Sequence, residues 1–98
     1  MVKKTTLKGG RYCRVTFSVT CEELVDVVRL MGEFNGWDQE AHPLQRRKGG
    51  AFSTSLTLAA GREYRFRYLL NGEDWRNDEN ADAYLPNPFG SEDSVVRL

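Results

Sequence analysis

The features that the chain lacks exclude or disfavour several classes of function. Its 98 residues carry no net charge, since 14 lysines and arginines balance 14 aspartates and glutamates. Nucleic-acid-binding domains need surplus cations to displace phosphate counterions, so that class is disfavoured, and we interpret Arg46, Arg47 and Lys48 as solvated residues beside a turn. No stretch approaches the roughly 18 apolar residues that cross a membrane, and no apolar segment follows the charged start MVKKTTLKGG. We therefore expect a cytoplasmic protein.

Cysteine and histidine are scarce as well. Cys13, Cys21 and His42 stand without a CxxC pair or other metal-ligand spacing, so we predict no metal or cofactor. We expect Cys13 to be a buried free thiol rather than half of a disulfide, and His42, beside Pro43, to be structural or incidental. One histidine leaves no Ser-His-Asp constellation, and paired catalytic carboxylates need a dry cleft that so small a domain does not offer. We therefore predict that the protein is not an enzyme.

Apolar and polar residues alternate along most of the chain, which predicts β-strands. The runs YCRVTFSVT, VDVVRLMGEF, AFSTSLTL and EYRFRYLLNGEDW each have one apolar face, and SVVRL forms a last short strand. Met31 and Leu69 fall on the faces predicted to be wet. Turns rich in glycine separate the runs at about 8–12 residues, as in antiparallel sandwiches. We predict a single all-β sandwich domain over residues 1–98, with residues 1–11 as an extension or edge strand and residues 77–93 as a long irregular connection.

Two tryptophans stand outside the strand patterns. Trp37 and Trp75 each follow an Asn-Gly turn, where small polar residues are usual, and both have Asn and acidic neighbours. In one interpretation each ring folds back as a lid over the sandwich, with its N–H bonded to a loop carbonyl. The presence of two such residues favours an exposed aromatic platform. Flat rings stack on the C–H face of a sugar, while Asn, Asp, Arg and Ser bind its hydroxyls.

The segments LMGEFNGWD, HPLQRRKGGAFSTSLTLAAGREYRFRYLLNGEDWRND and PNPFGSEDSVV resemble the family 48 carbohydrate-binding modules. These are the early-set domains at the N-terminus of isoamylases and glycogen branching enzymes, and a related member is the glycogen-binding domain of the AMP-activated protein kinase β subunit. The resemblance covers about residues 12–98 and is greatest to small stand-alone isoamylase early-set proteins. It implies an immunoglobulin-like (early-set) β-sandwich that binds α-1,4-glucan, such as glycogen or starch, without catalysis.

The resemblance also implies six sugar-binding residues: Trp37, Arg67, Trp75, Phe89, Ser91 and Asp93. The two tryptophans match rings that stack on glucose units. Arg67 takes the place of a lysine that bonds hydroxyls, with a different geometry. Phe89 matches an apolar residue that packs into the sugar coil. Asp93 takes the place of an amide and accepts hydrogen bonds but does not donate them.

Simpler alternatives remain open for the same residues. In one alternative, Phe89 plugs the end of the sandwich. In a second alternative, Arg67 only pairs with Glu73 or Asp74, a surface contact that contributes little to stability. In a third alternative, Ser91 and Asp93 only shape a turn. The main alternative for the whole protein is an interaction or regulatory domain that docks on a glycogen-metabolising enzyme through MVKKTTLKG or a sheet edge.

Overall fold

The alternating pattern folds into two antiparallel sheets. The computed structural model describes all 98 residues. Its strands are β1 (Val2–Thr6), β2 (Tyr12–Thr20), β3 (Val28–Gly32), β4 (Gln45–Arg46), β5 (Ala51–Ala59), β6 (Glu63–Leu70), β7 (Asp74–Arg76), β8 (Ala83–Pro86) and β9 (Glu92–Arg97). The first sheet has the order β1-β2-β5-β4. The second has the order β3-β6-β9-β8, with β7 paired to β6. Single 3-10 turns cover Glu33–Asn35 and Lys48–Gly50.

The core lies between the two sheets, on the faces that the sequence predicts to be apolar. Phe17 of β2 and Phe66 of β6 are fully buried and meet edge to face, with ring centroids 4.9 Å apart. Val15, Leu30 and Tyr68 are buried around them. Each such side chain removed from water contributes about 1.5–3 kcal/mol. The prediction of an all-β, immunoglobulin-like antiparallel sandwich is confirmed.

Both ends of the chain are more regular than the pattern indicates. Val2–Thr6 forms the edge strand β1, which is one of the two predictions for residues 1–11. The connection predicted to be irregular over residues 77–93 contains β8, which pairs with β9 from Ala83↔Val95 to Pro86↔Glu92. This strand was missed because AYLP is short and ends in proline, a residue that is tolerated at sheet edges.

The outer face of the second sheet is not wet throughout. Met31 and Leu69 retain only 2% and 1% of their exposure, against the prediction that they face solvent. In the strand register Met31 lies opposite Arg67, and Leu69 lies opposite Trp75. Met31 and Leu69 therefore lie on the same face of the sheet as the large side chains of Arg67 and Trp75.

Both cysteines are buried free thiols. Burial raises the pKa of the Cys21 thiol, and the nearby Glu23 carboxylate raises it further. The thiol therefore stays protonated at neutral pH, and a protonated thiol is a poor nucleophile. No helix in the chain has the length and apolar character that crossing a membrane requires.

Candidate functional site

A surface depression of about 1030 Å³ lies over the outer face of the second sheet. All six residues predicted from the sequence line it, although they come from distant parts of the chain. Trp37 follows the turn after β3, while Arg67 and Trp75 belong to the β6–β7 hairpin. The remaining residues are in the β8–β9 loop or at the start of β9. The depression also contains residues that sequence reasoning missed: Glu33, Arg65, Pro86, Asn87 and Pro88.

The β6–β7 hairpin places Trp75 beside Arg67. Its turn has Asn71 and Gly72 in left-handed conformations, at φ 51° and 74°, which matches the right-handed twist of the strands. The Asn71 side chain accepts hydrogen bonds from the backbone N–H groups of Asp26 (2.9 Å) and Val27 (3.2 Å). Trp75 is 42% exposed. The Arg67 guanidinium carbon lies 5.7 Å from the Trp75 ring centroid, a contact worth about 0.5–1 kcal/mol at an exposed site.

Arg67 does not make the cross-hairpin ion pair considered for it. Asp74 pairs with Arg76 at 2.9 Å, and the Arg67 Nη1 group donates to Ser91 Oγ at 3.3 Å. The Nε–H of Arg67 is buried without a hydrogen-bond partner, a state that costs about 1–3 kcal/mol. The donors that Arg67 can offer to the depression are therefore its remaining Nη groups and not the buried Nε–H.

Trp37 lies in a strained conformation. Its φ is 61°, following Gly36 at 63°, and a bulky residue in this region is a backbone outlier. Asn and Gly both tolerate a positive φ, but Asn35 ends the 3-10 turn, and the left-handed residues are Gly36 and Trp37. The Trp37 N–H donates to Gly32 O at 2.9 Å and to Asn35 Oδ1 at 3.1 Å. The ring is half-buried, so it is less available than Trp75.

The Asn35 side chain holds this turn together. Its Oδ1 also accepts from the Gly32 N–H at 3.1 Å, and its Nδ2 donates to Leu30 O at 2.9 Å. These backbone partners fix the orientation of the amide. Because Nδ2 also lies 2.9 Å from His42 Nδ1, the histidine nitrogen must be the acceptor of that hydrogen bond. Of the two interpretations of His42, structural or incidental, this hydrogen bond favours the structural one.

The β8–β9 loop places Phe89 at the rim of the depression. Phe89 is 91% exposed, so the alternative that it plugs the sandwich is wrong. Asp93 is 7% exposed; its Oδ2 lies 3.3 Å from Arg65 Nη1, and its Oδ1 accepts from Asn87 Nδ2 at 3.1 Å. Both carboxylate oxygens are thus engaged within the protein, as the turn-shaping alternative requires, and direct contact with a ligand stays a prediction.

Charges in the depression balance. Arg65 and Arg67 face Glu33 and Asp93, and Glu33 Oε1 accepts from the Arg65 N–H at 2.7 Å. An aromatic groove for single-stranded nucleic acid would be cationic. Two of the missed residues had a signal in the sequence: Arg65 shares a strand face with Arg67, and Asn87 opens an N-P-F-G turn. Glu33 had none.

Residues 15–85 match the family model of carbohydrate-binding module 48 (isoamylase N-terminal domain). The chain belongs to this family. The matched span includes Trp37, Arg67 and Trp75, and it ends at Leu85, before the loop that carries Phe89. The matched span thus contains the turn after β3 and the β6–β7 hairpin, while the β8–β9 loop lies beyond it.

Two relatives are branching enzymes. The chain is 32% identical over 68 residues to the 1,4-alpha-glucan branching enzyme GlgB of Butyrivibrio fibrisolvens, which covers 69% of this chain and 10% of the enzyme. It is 36% identical over 58 residues to the 1,4-alpha-glucan branching enzyme GlgB of Prochlorococcus marinus (strain MIT 9303), covering 58% of this chain and 7% of the enzyme. The chain therefore corresponds to a small part of each relative.

The strain at Trp37 leads to a prediction about stability. Trp37→Ala and Trp37→Gly remove the same ring, but only glycine adopts φ 61° without a steric penalty. We expect Trp37→Gly to be more stable than Trp37→Ala by about 1 kcal/mol, measured by urea denaturation.

Trp75 provides the matched control for this comparison. It lies in β7 without a positive φ, so glycine there should be less stable than alanine by about 0.5–1 kcal/mol. The same order of stability at both positions would contradict the strained conformation of Trp37.

Proposed function

We propose that this module binds α-1,4-glucan, as in glycogen or starch, in the depression and does not act on it catalytically. The observation that carries the proposal is the exposed Trp75 ring with Arg67 against it, in a depression shared with Trp37 and Phe89. Family membership supports a carbohydrate as the ligand. The names of the relatives support an α-glucan, because the substrate in their names is 1,4-alpha-glucan.

The chemistry of the depression suits a neutral sugar chain. Trp75 offers a flat apolar face for the C–H side of a glucose ring, and the half-buried Trp37 offers an edge or a partial face. Arg67 makes one hydrogen bond within the protein, from Nη1 to Ser91 Oγ, which leaves its other Nη donors for hydroxyl oxygens. The balanced charges give no preference for phosphate or sulfate groups. Trp37, Arg67, Trp75 and Phe89 are therefore the direct contacts in this proposal.

The carboxylates that line the depression support a non-catalytic role. Glycoside hydrolysis needs two of them, one with a raised pKa, on either side of the scissile bond. Glu33 and Asp93 are the carboxylates that line the depression. Glu33 accepts a backbone hydrogen bond, and Asp93 is held by Arg65 and Asn87. Each is engaged in support of the structure rather than aimed at a common point.

The test is a titration of the intrinsic tryptophan fluorescence with maltoheptaose, with cellohexaose as the linkage control. An open site of this kind predicts micromolar to millimolar affinity, about −8 to −4 kcal/mol. We expect a saturable change with the α-linked chain and none with the β-linked chain. No change with maltoheptaose up to about 10 mM, an affinity weaker than roughly −3 kcal/mol, would refute glucan binding.

A second candidate is a domain that docks on a glycogen-metabolising enzyme. It is favoured by the comparison with GlgB, in which the matching segment is 7–10% of a much larger enzyme. Docking without sugar binding predicts no change in tryptophan fluorescence with maltoheptaose, while a separate enzyme is co-purified. The fluorescence titration therefore distinguishes the two candidates.

A further inference from the structure

The loop between β8 and β9 contains a tight turn that presents Phe89. Residues 87–90 read N-P-F-G, and the Gly90 N–H donates to Asn87 O at 3.4 Å. Proline in the second position and glycine in the fourth are typical of a type I turn with asparagine in the first. The Asn87 N–H donates to Ser91 O at 2.9 Å, which closes the base of the loop next to the Pro86↔Glu92 pair.

The side chain of Asn87 makes hydrogen bonds to backbone and side-chain groups of this loop. Its Oδ1 accepts from the backbone N–H groups of Phe89 (3.0 Å) and Ser91 (3.3 Å). Its Nδ2 donates to Ser91 Oγ (3.0 Å) and Asp93 Oδ1 (3.1 Å). The two backbone donors fix which end of the amide is the oxygen. One side chain thus connects to Phe89 and Ser91 in the loop and to Asp93 at the start of β9, three of the residues implied in sugar binding.

The Phe89 side chain makes too little contact with the protein to fix the conformation of its turn. Its side chain is 91% exposed, so packing does not restrain the turn that carries it. From outside the turn, Arg65 holds the loop at its base, through Nη1 to Pro86 O at 3.0 Å and to Asp93. Arg67 Nη1 also donates to Ser91 Oγ at 3.3 Å. Within the turn, the side chain that hydrogen-bonds to the Phe89 backbone is that of Asn87. A loop that is disordered before binding must be ordered by the ligand, and that ordering lowers affinity.

We propose that Asn87 is a positioning residue of the sugar site, which orders the Phe89 turn before the glucan arrives. This inference rests on the proposed function. Asn87 acts through its neighbours and need not touch the sugar itself. The residue lies outside the span that matches the family model.

The first test is Asn87→Ala in the full chain. We expect the dissociation constant for maltoheptaose to rise about 5- to 20-fold, with the midpoint of thermal unfolding nearly unchanged. Hydrogen exchange should accelerate at the amides of Phe89 and Ser91 and stay unchanged at Val95 in β9. The matched control is Asn80→Ala: Asn80 is exposed in another loop, and its side chain makes no hydrogen bond. It should leave both affinity and exchange as in the wild type.

The second test distinguishes positioning from direct contact. If Asn87 acts by ordering Phe89, then Asn87→Ala should weaken binding far less in a Phe89→Ala background than in the wild type. Fully additive losses would overturn the inference. Binding that is lost in Trp75→Ala but unchanged in Asn87→Ala would overturn this inference and leave the proposed function intact. Failure of the wild type to bind maltoheptaose would overturn both.

Discussion

Replacing Trp75 with alanine should lower the affinity for maltoheptaose by about 10- to 100-fold, or roughly 1.4–2.7 kcal/mol. Stacking of a nucleic-acid base on an aromatic side chain is worth about 1–3 kcal/mol per base, and we take this range as the scale for a sugar ring on Trp75. The change also removes the surface against which Arg67 lies at 5.7 Å. The arginine then loses its fixed orientation, so its hydrogen bonds to the sugar weaken together with the stacking. The measurement is the fluorescence of the remaining tryptophan, or retention in a glycogen-containing gel.

Tyr12→Ala is the control for this prediction. Tyr12 is a comparably exposed aromatic residue, but it lies on the first sheet, away from the depression. Its loss should not change sugar affinity. Trp75→Phe, which keeps a smaller flat face, should fall between the wild type and Trp75→Ala. If Trp75→Ala folds normally and retains wild-type affinity, the glucan does not bind at this ring.

The sequence predicted the sandwich because the strands bury one face each. Val15 and Phe17 in β2, like Phe66 and Tyr68 in β6, occupy alternate positions, and that period is sufficient to identify strands and their inner faces. The exposure of residues on the outer face was harder to predict. Met31 and Leu69 lie on positions that the alternation assigns to solvent, and only the packing of the finished surface buries them.

The site could be predicted in part, and largely through family resemblance. Trp37 and Trp75 drew attention because large rings beside Asn-Gly turns are unusual. The left-handed conformation of Trp37 was not predictable, because it depends on the hydrogen bonds that Asn35 Oδ1 accepts from the Gly32 and Trp37 N–H groups at the two ends of the turn. The engagement of Asp93 by Arg65 likewise depends on the register of β6 and β9, which the sequence alone does not set.

Gly32→Ala should reduce the free energy of unfolding by about 2–3 kcal/mol, because the added methyl group has no space. A Cβ at Gly32 would lie 2.8 Å from the backbone oxygen of Arg65 and 2.6 Å from the Phe34 ring. Arg65 is in β6, which is paired on both sides, so its backbone cannot withdraw. Phe34 is packed against Phe17, with ring centroids 5.5 Å apart. For a domain of this size, the midpoint of thermal unfolding should fall by about 10–20 °C.

Gly36→Ala separates this steric effect from the backbone effect of losing a glycine. Gly36 is left-handed at φ 63°, and a Cβ there would meet nothing within 4 Å, so the change should cost only about 1 kcal/mol. Gly32 has an extended backbone at φ −168°, which any residue adopts, so its cost must come from contact alone. Equal losses at the two positions would contradict the close approach of β3 to β6. Since Gly32 O accepts the hydrogen bond of Trp37, the Gly32→Ala protein that remains folded should also bind maltoheptaose more weakly.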